Sequence, residues 1–195
     1  MKRAFDILVA WVLLAVLSIP LMLVGGLILL RDGRPVLFSQ ERVGRHGKPF
    51  RILKFRTMVV ATGPTAGVTS GESDARITAT GRHLRARRID EFPQLLNVLV
   101  GHMSLVGPRP EVPEYVDLDH PLWQTALSVR PGITGPDSLA FRNEGQELAD
   151  AADANRHYRE VILPEKLKLQ AQYAKDRSFA GDLRLLFRTF GALRG

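Results

Sequence analysis

Met1-Lys2-Arg3-Ala4-Phe5-Asp6-Ile7-Leu8-Val9-Ala10-Trp11-Val12-Leu13-Leu14-Ala15-Val16-Leu17-Ser18-Ile19-Pro20-Leu21-Met22-Leu23-Val24-Gly25-Gly26-Leu27-Ile28-Leu29-Leu30 decides how the rest of the chain is read. From Ala4 onward the run is apolar apart from Asp6, Ser18, Pro20 and the Gly25-Gly26 pair. A secretory signal has an apolar region of about 7–15 residues and a small-residue cleavage site after it. This run is longer, and no small-x-small site precedes Arg31. It is also too long for an ordinary buried helix, so it is read as membrane-inserted. A straight helix of about 27 residues would reach ~40 Å, more than the ~30 Å hydrocarbon core. Pro20 removes a backbone donor and is the expected bend, with Ser18 placed to satisfy a freed carbonyl. Lys2 and Arg3 precede the run; Arg31, Arg34, Arg42, Arg45 and Lys48 follow it. Basic flanks stay in the cytoplasm. A re-entrant helix-break-helix satisfies both flanks, whereas a spanning helix satisfies one. Residues 1–31 are therefore expected to dip into the bilayer and return, with 32–195 on the cytoplasmic face. Asp6, near the entrance, is placed to pair with Arg3 or with a basic residue of the soluble part.

The remaining composition limits what that soluble part can do. The 195 residues carry a net charge of +7 and contain no cysteine. Disulfides and thiolate metal sites are excluded. The positive balance favours anionic partners: phosphorylated small molecules, nucleic acid or the acidic headgroups of a bilayer. With 45% hydrophobic residues the chain has enough apolar content for a core.

Pro35 to Gln40 and Phe50 to Phe55 read as two short strands around the turn Gly44-Arg45-His46-Gly47-Lys48, a β-hairpin. Ala61 to Asp74, rich in Gly, Thr and Ser, reads as a loop. Thr80 to Arg88 and Phe92 to Val100 read as helices, with Asp90 suited to an N-cap and Gly101 to a stop. Pro108, Pro110 and Pro113 force an extended path. Glu114 to Val129 reads as partly helical. Gln146 to Ala174 reads as helix with a break before Pro164. Phe179 to Leu193, carrying Arg184 and Arg188, is amphipathic and suited to a bilayer surface; Arg194 follows directly. The fold class is α+β and mainly helical: an N-terminal re-entrant membrane helix-break-helix, a small β-hairpin and amphipathic surface helices.

Chemistry concentrates at Asp90-Glu91, which follow Arg85, Arg87 and Arg88 in the chain. An acidic pair most often caps a helix or faces water. Here nearby cations favour the ionised carboxylate, and an ionised Asp can attack phosphorus to form an acyl phosphate. Its charge repels a diphosphate, so a divalent cation is expected; Mg²⁺ takes one or two carboxylates plus phosphate oxygens and water. Lys54, Arg56, Arg109 and Arg130 lie in strand- or Pro-constrained contexts suited to phosphate contact. The histidines have no metal-ligand spacing, and no P-loop, dinucleotide fingerprint or nucleophile elbow occurs.

Several motifs occur together and in a recognisable order. They are Lys2-Arg3-Ala4-Phe5-Asp6, Ser39-Gln40-Glu41-Arg42-Val43-Gly44, Lys54-Phe55-Arg56-Thr57-Met58, Ile89 to Leu99, Met103 to Pro110 and Arg130 to Gly135. In this the chain resembles the small monotopic phosphoglycosyl transferases, the bacterial sugar transferase family. The resemblance implies transfer of a sugar-1-phosphate from a UDP-sugar to a polyprenyl (undecaprenyl) phosphate, with release of UMP. It implies a ping-pong mechanism through an aspartyl-phosphosugar at the bacterial inner membrane, as the first membrane step of polysaccharide or glycoconjugate synthesis. Mapped onto this chain, Asp90 is the nucleophile and a Mg²⁺ ligand, and Glu91 supports the metal or a proton transfer. Lys54, Arg56, Arg85, Arg109, Arg130 and Gln94 fall in motif positions for substrate contact; Ser18 and Pro20 mark the membrane break. Three departures stand out. Gly101-His102 replaces a frequent Gly-Asp, Ile19 separates Ser18 from Pro20, and Pro136-Asp137-Ser138 replaces a frequent Trp-Ala-Gln. The last resembles a different subgroup, one with a different sugar. No segment matches the extra membrane helices of longer relatives, so the minimal catalytic form is expected.

Two other classes stay in view: a non-catalytic scaffold of a glycan-assembly complex and a membrane-tethered cationic binding protein. Aromatic residues do not interleave with the Arg82–Arg88 cluster as stacking platforms would, so nucleic acid is not an expected partner. Homodimerisation is left open.

Overall fold

The computed structural model describes residues 1–60 and 74–192. The loop expected over Ala61 to Asp74 lies outside the described residues but for Asp74, and so do Leu193 and Arg194.

Helix α1 runs from Lys2–Arg31. It is continuous: Pro20 sits inside it, so the expected helix-break-helix is a single helix in its hydrogen-bonded course. An interior proline deletes only its own bond, here to Val16, and the turns on either side retain theirs. Ser18 Oγ donates to Ala15 O at 2.8 Å, one carbonyl short of the one Pro20 leaves.

Both ends of α1 dock on the rest of the protein. Lys2 Nζ bonds Asp182 at 2.6 Å, and Arg3 donates to the carbonyls of Val98, Leu99 and Met103. Asp6 is buried; it accepts from Ser104 Oγ at 2.7 Å and lies 3.9 Å from Lys2 Nζ, so it is held by a hydroxyl and by Lys2. Phe5, Val9, Ala10, Leu13 and Leu14 pack into a core with Leu95, Val98, Met103 and Leu105. At the other end Leu21, Val24 and Ile28 pack on Phe55 and Leu84. Between these contacts Ala15, Val16, Ser18, Ile19 and Pro20 are exposed. Removing apolar area from water contributes roughly 25 cal/mol per Å²; this exposed stretch gains nothing from the protein, and its natural solvent is hydrocarbon.

Strands β1 (Leu37–Val43) and β2 (Pro49–Phe55) form the expected antiparallel hairpin, Leu37 opposite Phe55 and Val43 opposite Pro49. His46 and Gly47 turn the chain at positive φ. Alternation along β2 sends Phe50 and Ile52 inward. Helices α2 (Ala79–Ala86) and α3 (Gln94–Val100) follow. Asn97 of α3 locks onto β2 like a missing strand: Oδ1 accepts from Leu53 N and Nδ2 donates to Arg51 O. Gly101 ends α3 at φ 95°, as its sequence position suggests.

Asp90 does not cap a helix. Ile89–Glu91 form a 3-10 turn entered through Arg88 at φ 53°, and α3 begins only after Pro93. That left-handed residue redirects the chain, so the Asp90 carboxylate is free of capping duty.

Strands β3 (Ser104–Val106) and β4 (Gly132–Thr134) pair in parallel. The backbones approach so closely that a Cβ on Gly132 would lie 2.1 Å from Gly107 N. Helices α4 (Pro121–Ala126), α5 (Pro136–Ala140), α6 (Glu144–Asp150) and α7 (Ala154–His157) lead to a π-helical turn, Tyr158–Ile162. Helices α8 (Leu163–Asp176) and α9 (Phe179–Ala192) complete the chain. The helix break expected before Pro164 falls earlier, after Asp150. Pro164 is instead accepted in the first turn of α8, where the wide turn preceding it accommodates the missing donor. Among the described residues of α9, Phe179, Phe187 and Phe190 are exposed, which agrees with its amphipathic reading.

Candidate active site

The hairpin, α2, the Ile89–Glu91 turn and the segment from Arg109 to Glu111 enclose a cleft of about 780 Å³, within the range of small-molecule sites. Asp90 and Glu91 line it and are only 7% and 6% exposed.

The two carboxylates are adjacent but differently employed. Glu91 Oε1 receives Lys54 Nζ at 2.8 Å and Arg109 Nη2 at 2.7 Å. Its Oε2 lies 3.9 Å from Arg88 Nη1. Burial would raise the Glu91 carboxyl, but Arg109 and Lys54 overcome it and hold it well below the usual carboxylate range. Reciprocally, Glu91 raises the Arg109 guanidinium, while burial lowers Lys54 despite Glu91. Asp90 accepts no hydrogen bond from any described residue. Burial pushes its carboxyl up and Glu91 adds to this, against the pull of Lys54, Arg85 and Arg109. One neighbour is thus a locked counter-ion and the other an open, more basic carboxylate, the divergence expected of groups with separate roles.

Of the residues singled out from sequence, Lys54, Arg85, Asp90, Glu91 and Arg109 converge on the cleft. Arg85 also donates from Nε to Thr57 at 2.9 Å. Arg56 borders the same space, but its guanidinium is spent on the chain leaving α1. Its Nη atoms donate to the carbonyls of Asp32, Gly33 and Arg34 at 2.5, 2.8 and 2.9 Å. Gln94 is 2% exposed, is not part of the cleft lining and has an Nε2 without a partner among the described residues. Arg130 is elsewhere, donating to Gly101 O at 2.9 Å beside Arg3. Ser18 and Pro20 lie on the exposed middle of α1.

Sequence reasoning missed a second polar group in the cleft wall. Lys166, 2% exposed, bonds Glu111, Glu144 and Tyr158, and Arg42 lies 3.8 Å from Glu111. Glu111 directly follows Pro110 and so shares the rigid path that drew attention to Arg109. Nothing in the local pattern marks Lys166, which reads as one of several helical lysines.

Among the described residues, no group of three or more His, Cys, Asp or Glu converges on one point. A Mg²⁺ here would draw most of its six ligands from phosphate and water, its ordinary habit. Asp90 fits such an ion with both oxygens open. Glu91 can offer only Oε2.

The model of the family described as bacterial sugar transferase matches residues 1–194. The uncharacterized sugar transferase EpsL of Bacillus subtilis (strain 168) is 37% identical over 189 residues, covering 97% of this chain and 85% of the relative. A UDP-glucose:undecaprenyl-phosphate glucose-1-phosphate transferase of Caulobacter vibrioides is 37% identical over 196 residues, covering 98% of this chain and 69% of the relative. A UDP-N-acetylgalactosamine-undecaprenyl-phosphate N-acetylgalactosaminephosphotransferase of Aeromonas hydrophila is 43% identical over 192 residues, covering 96% of this chain but 42% of the relative.

Proposed function

Because the chain belongs to the bacterial sugar transferase family, we propose that it moves a sugar-1-phosphate from a UDP-sugar to undecaprenyl phosphate, releasing UMP. The observation that carries this reading is the contrast at the cleft: an open Asp90 carboxylate beside a Glu91 tied to Lys54 and Arg109. Relatives named for this reaction with different sugars support the acceptor and the class of donor rather than one sugar.

A carboxylate oxygen of Asp90 attacks the β-phosphorus of the donor. The bond from that phosphorus to the bridging oxygen breaks, and its electron pair leaves with UMP. Asp90 then holds the sugar-1-phosphate as an acyl phosphate. An oxygen of the lipid phosphate attacks the same phosphorus, the acyl phosphate bond breaks, and Asp90 returns to a carboxylate. Lys54 and Arg109, held by Glu91, keep positive charge next to the reacting phosphate without closing on Asp90. Arg85 and Arg88 line the same cleft and add to that field. A bound Mg²⁺, held by Asp90 and by Glu91 Oε2, would supply charge neutralisation of the diphosphate.

The lipid acceptor requires a membrane, and α1 answers to that requirement. It is long and apolar enough to cross a membrane, and both of its ends are fastened to the same body through Lys2, Arg3 and Ile28. In this reading the exposed middle of α1 enters the bilayer of the inner membrane from the cytoplasmic side and returns. Residues 32–195 then lie on the cytoplasmic face, and α9 lies along the headgroups.

The test is UMP release from a panel of UDP-sugars with undecaprenyl phosphate and Mg²⁺, comparing the wild type with Asp90→Asn. Release that needs the metal, and that the variant lacks, is the expected result. Equal release by the variant would remove Asp90 as nucleophile, and no release with any donor from folded protein in lipid would favour the scaffold reading.

A further inference from the structure

Two neighbouring polar atoms at the cleft wall have no partner among the described residues. Asp137 is wholly buried, and its Oδ2 accepts from Arg109 N at 3.1 Å and from Gln170 Nε2 at 2.7 Å. Its Oδ1 accepts nothing from the described residues, and the hydroxyl of Ser138 is also buried without a partner among them. Both residues line the cleft. A buried polar atom without a hydrogen bond costs roughly 1–3 kcal/mol. Such atoms are few in native proteins, and each calls for a physical reason.

Their position supplies one. Arg109 ties the pair to the reacting end of the cleft: its N–H holds Asp137 while its guanidinium holds Glu91. Asp137 therefore stands within one arginine's length of Glu91. Residue 135 makes room for them. A Cβ on Gly135 would lie 2.8 Å from Asp137 Oδ1 and 2.3 Å from Gly107 O, so the carboxylate occupies space that a larger residue would take. Ser138 is half-buried and borders the cleft beside Asp137.

The chemistry narrows the ligand. A carboxylate oxygen accepts and a hydroxyl donates or accepts, so the pair suits O–H or N–H groups and repels phosphate. Two oxygens are too few for a cation site. Uracil presents two carbonyl oxygens for each N–H and matches a carboxylate poorly. The part of a UDP-sugar attached directly to the β-phosphate is a ring of hydroxyls, in some donors with an amide. We propose that Asp137 and Ser138 select the donor sugar by binding its hydroxyl or amide groups. This rests on the reading of the chain as a UDP-sugar transferase.

The experiment compares wild type, Ser138→Ala and Asp137→Asn in UMP release from UDP-glucose, UDP-galactose and UDP-N-acetylgalactosamine, with inhibition by UDP and UMP alongside. The asparagine can keep its oxygen toward Arg109 N and Gln170 while turning an amide NH₂ to the cleft. It thus reverses the orphan acceptor and spares the buried bonds. Ser138→Ala removes only an unpartnered hydroxyl, and its melting temperature is expected to match wild type. With the preferred donor, kcat/KM should fall roughly 10- to 100-fold in either variant, the scale of a lost hydrogen bond to a charged or buried partner. Discrimination between donors should collapse, while inhibition by UDP and UMP stays at its wild-type strength. Unchanged discrimination would overturn the proposal. So would an equal loss with every sugar together with weakened UDP inhibition, which would place the pair on the uridine ribose. If wild type releases no UMP from any donor, the transferase reading fails by itself. Calorimetric binding of the same UDP-sugars against UDP then decides the pair's role: wild type should bind its best sugar more tightly than UDP and Ser138→Ala should not, and equal preferences would overturn it.

Discussion

Replacing Glu91 by Gln tests the division of labour between the two carboxylates. In the wild type a single oxygen, Oε1, holds Lys54 at 2.8 Å and Arg109 at 2.7 Å, and the carboxylate is 6% exposed. Removing one member of a buried ion pair costs about 3–5 kcal/mol, because the partner charge is left behind. An amide oxygen still accepts one hydrogen bond, so the lower end, about 3 kcal/mol, is expected. For a domain of this size that corresponds to a melting temperature lower by roughly 6–12 °C. Activity should suffer separately. With Glu91 neutral, Asp90 is the carboxylate that Lys54 and Arg109 can turn to, and a nucleophile paired with two cations is a poor one. A loss of roughly 100-fold in kcat is expected, the scale of one misplaced charge-stabilising group. Thermal unfolding in lipid nanodiscs and UMP release at saturating donor measure the two effects. A variant within 3 °C of wild type and within a few-fold of its kcat would refute the counter-ion role. Recovery of kcat on raising Mg²⁺ would transfer Glu91's chief duty to the metal.

Asp90→Asn should lose turnover by several orders of magnitude, since an amide forms no acyl phosphate, yet melt at a higher temperature than wild type. Burial raises the Asp90 carboxyl, so its ionised form at neutral pH opposes folding, and a neutral isostere relieves that; a lower melting temperature would contradict it. For the same reason the acid limb of kcat/KM should fall at a pH above the ~3.9 of a free aspartate. Glu91 has the opposite sign: Arg109 and Lys54 hold it low despite burial, so its stabilising contribution is present above its unfolded value near ~4.3 and is lost as pH falls through the folded one. Denaturant midpoints of wild type and Glu91→Gln should therefore converge in acid. Arg56→Ala should lower stability by about 3 kcal/mol, through loss of charge-assisted bonds to three carbonyls, and leave the KM for the donor unchanged; a raised KM with normal stability would return Arg56 to the substrate. Single cysteines at Ala4 and Arg34, in a chain with none of its own, should both react with an impermeant maleimide from the cytoplasmic side only. Labelling from opposite sides would make α1 a spanning helix.

Much of this protein is legible in order along the chain. The long apolar helix follows from composition alone, because about 27 consecutive residues with few polar atoms have no soluble way to be covered. The β1–β2 hairpin follows from strand alternation around Gly44 to Lys48, and the end of α3 from Gly101. Asp90-Glu91 and Arg109 were likewise legible as a chemical constellation, through adjacent charge and flanking prolines. What a linear reading could not reach was how each side chain is spent. Arg56 and Arg109 look alike in sequence, yet the first clamps Asp32, Gly33 and Arg34 while the second grips Glu91. Arg130 looked equally suited to phosphate and sits instead at the end of α3.

Local sequence thus determined the membrane helix, the hairpin, the acidic pair and the excess of positive charge, since periodicity and chain stiffness act over a few residues. Tertiary structure alone decided which carboxylate is free. Lys54, Glu91 and Arg109 come from a strand, a turn and a Pro-bounded segment far apart in sequence, and only their packing locks Glu91 and leaves Asp90 open. The same packing buries Lys166 against Glu111 and Glu144 and leaves Asp137 Oδ1 and Ser138 Oγ without partners among the described residues. Hydrogen-bond satisfaction is a property of three-dimensional neighbours, and no period or motif along the chain encodes it.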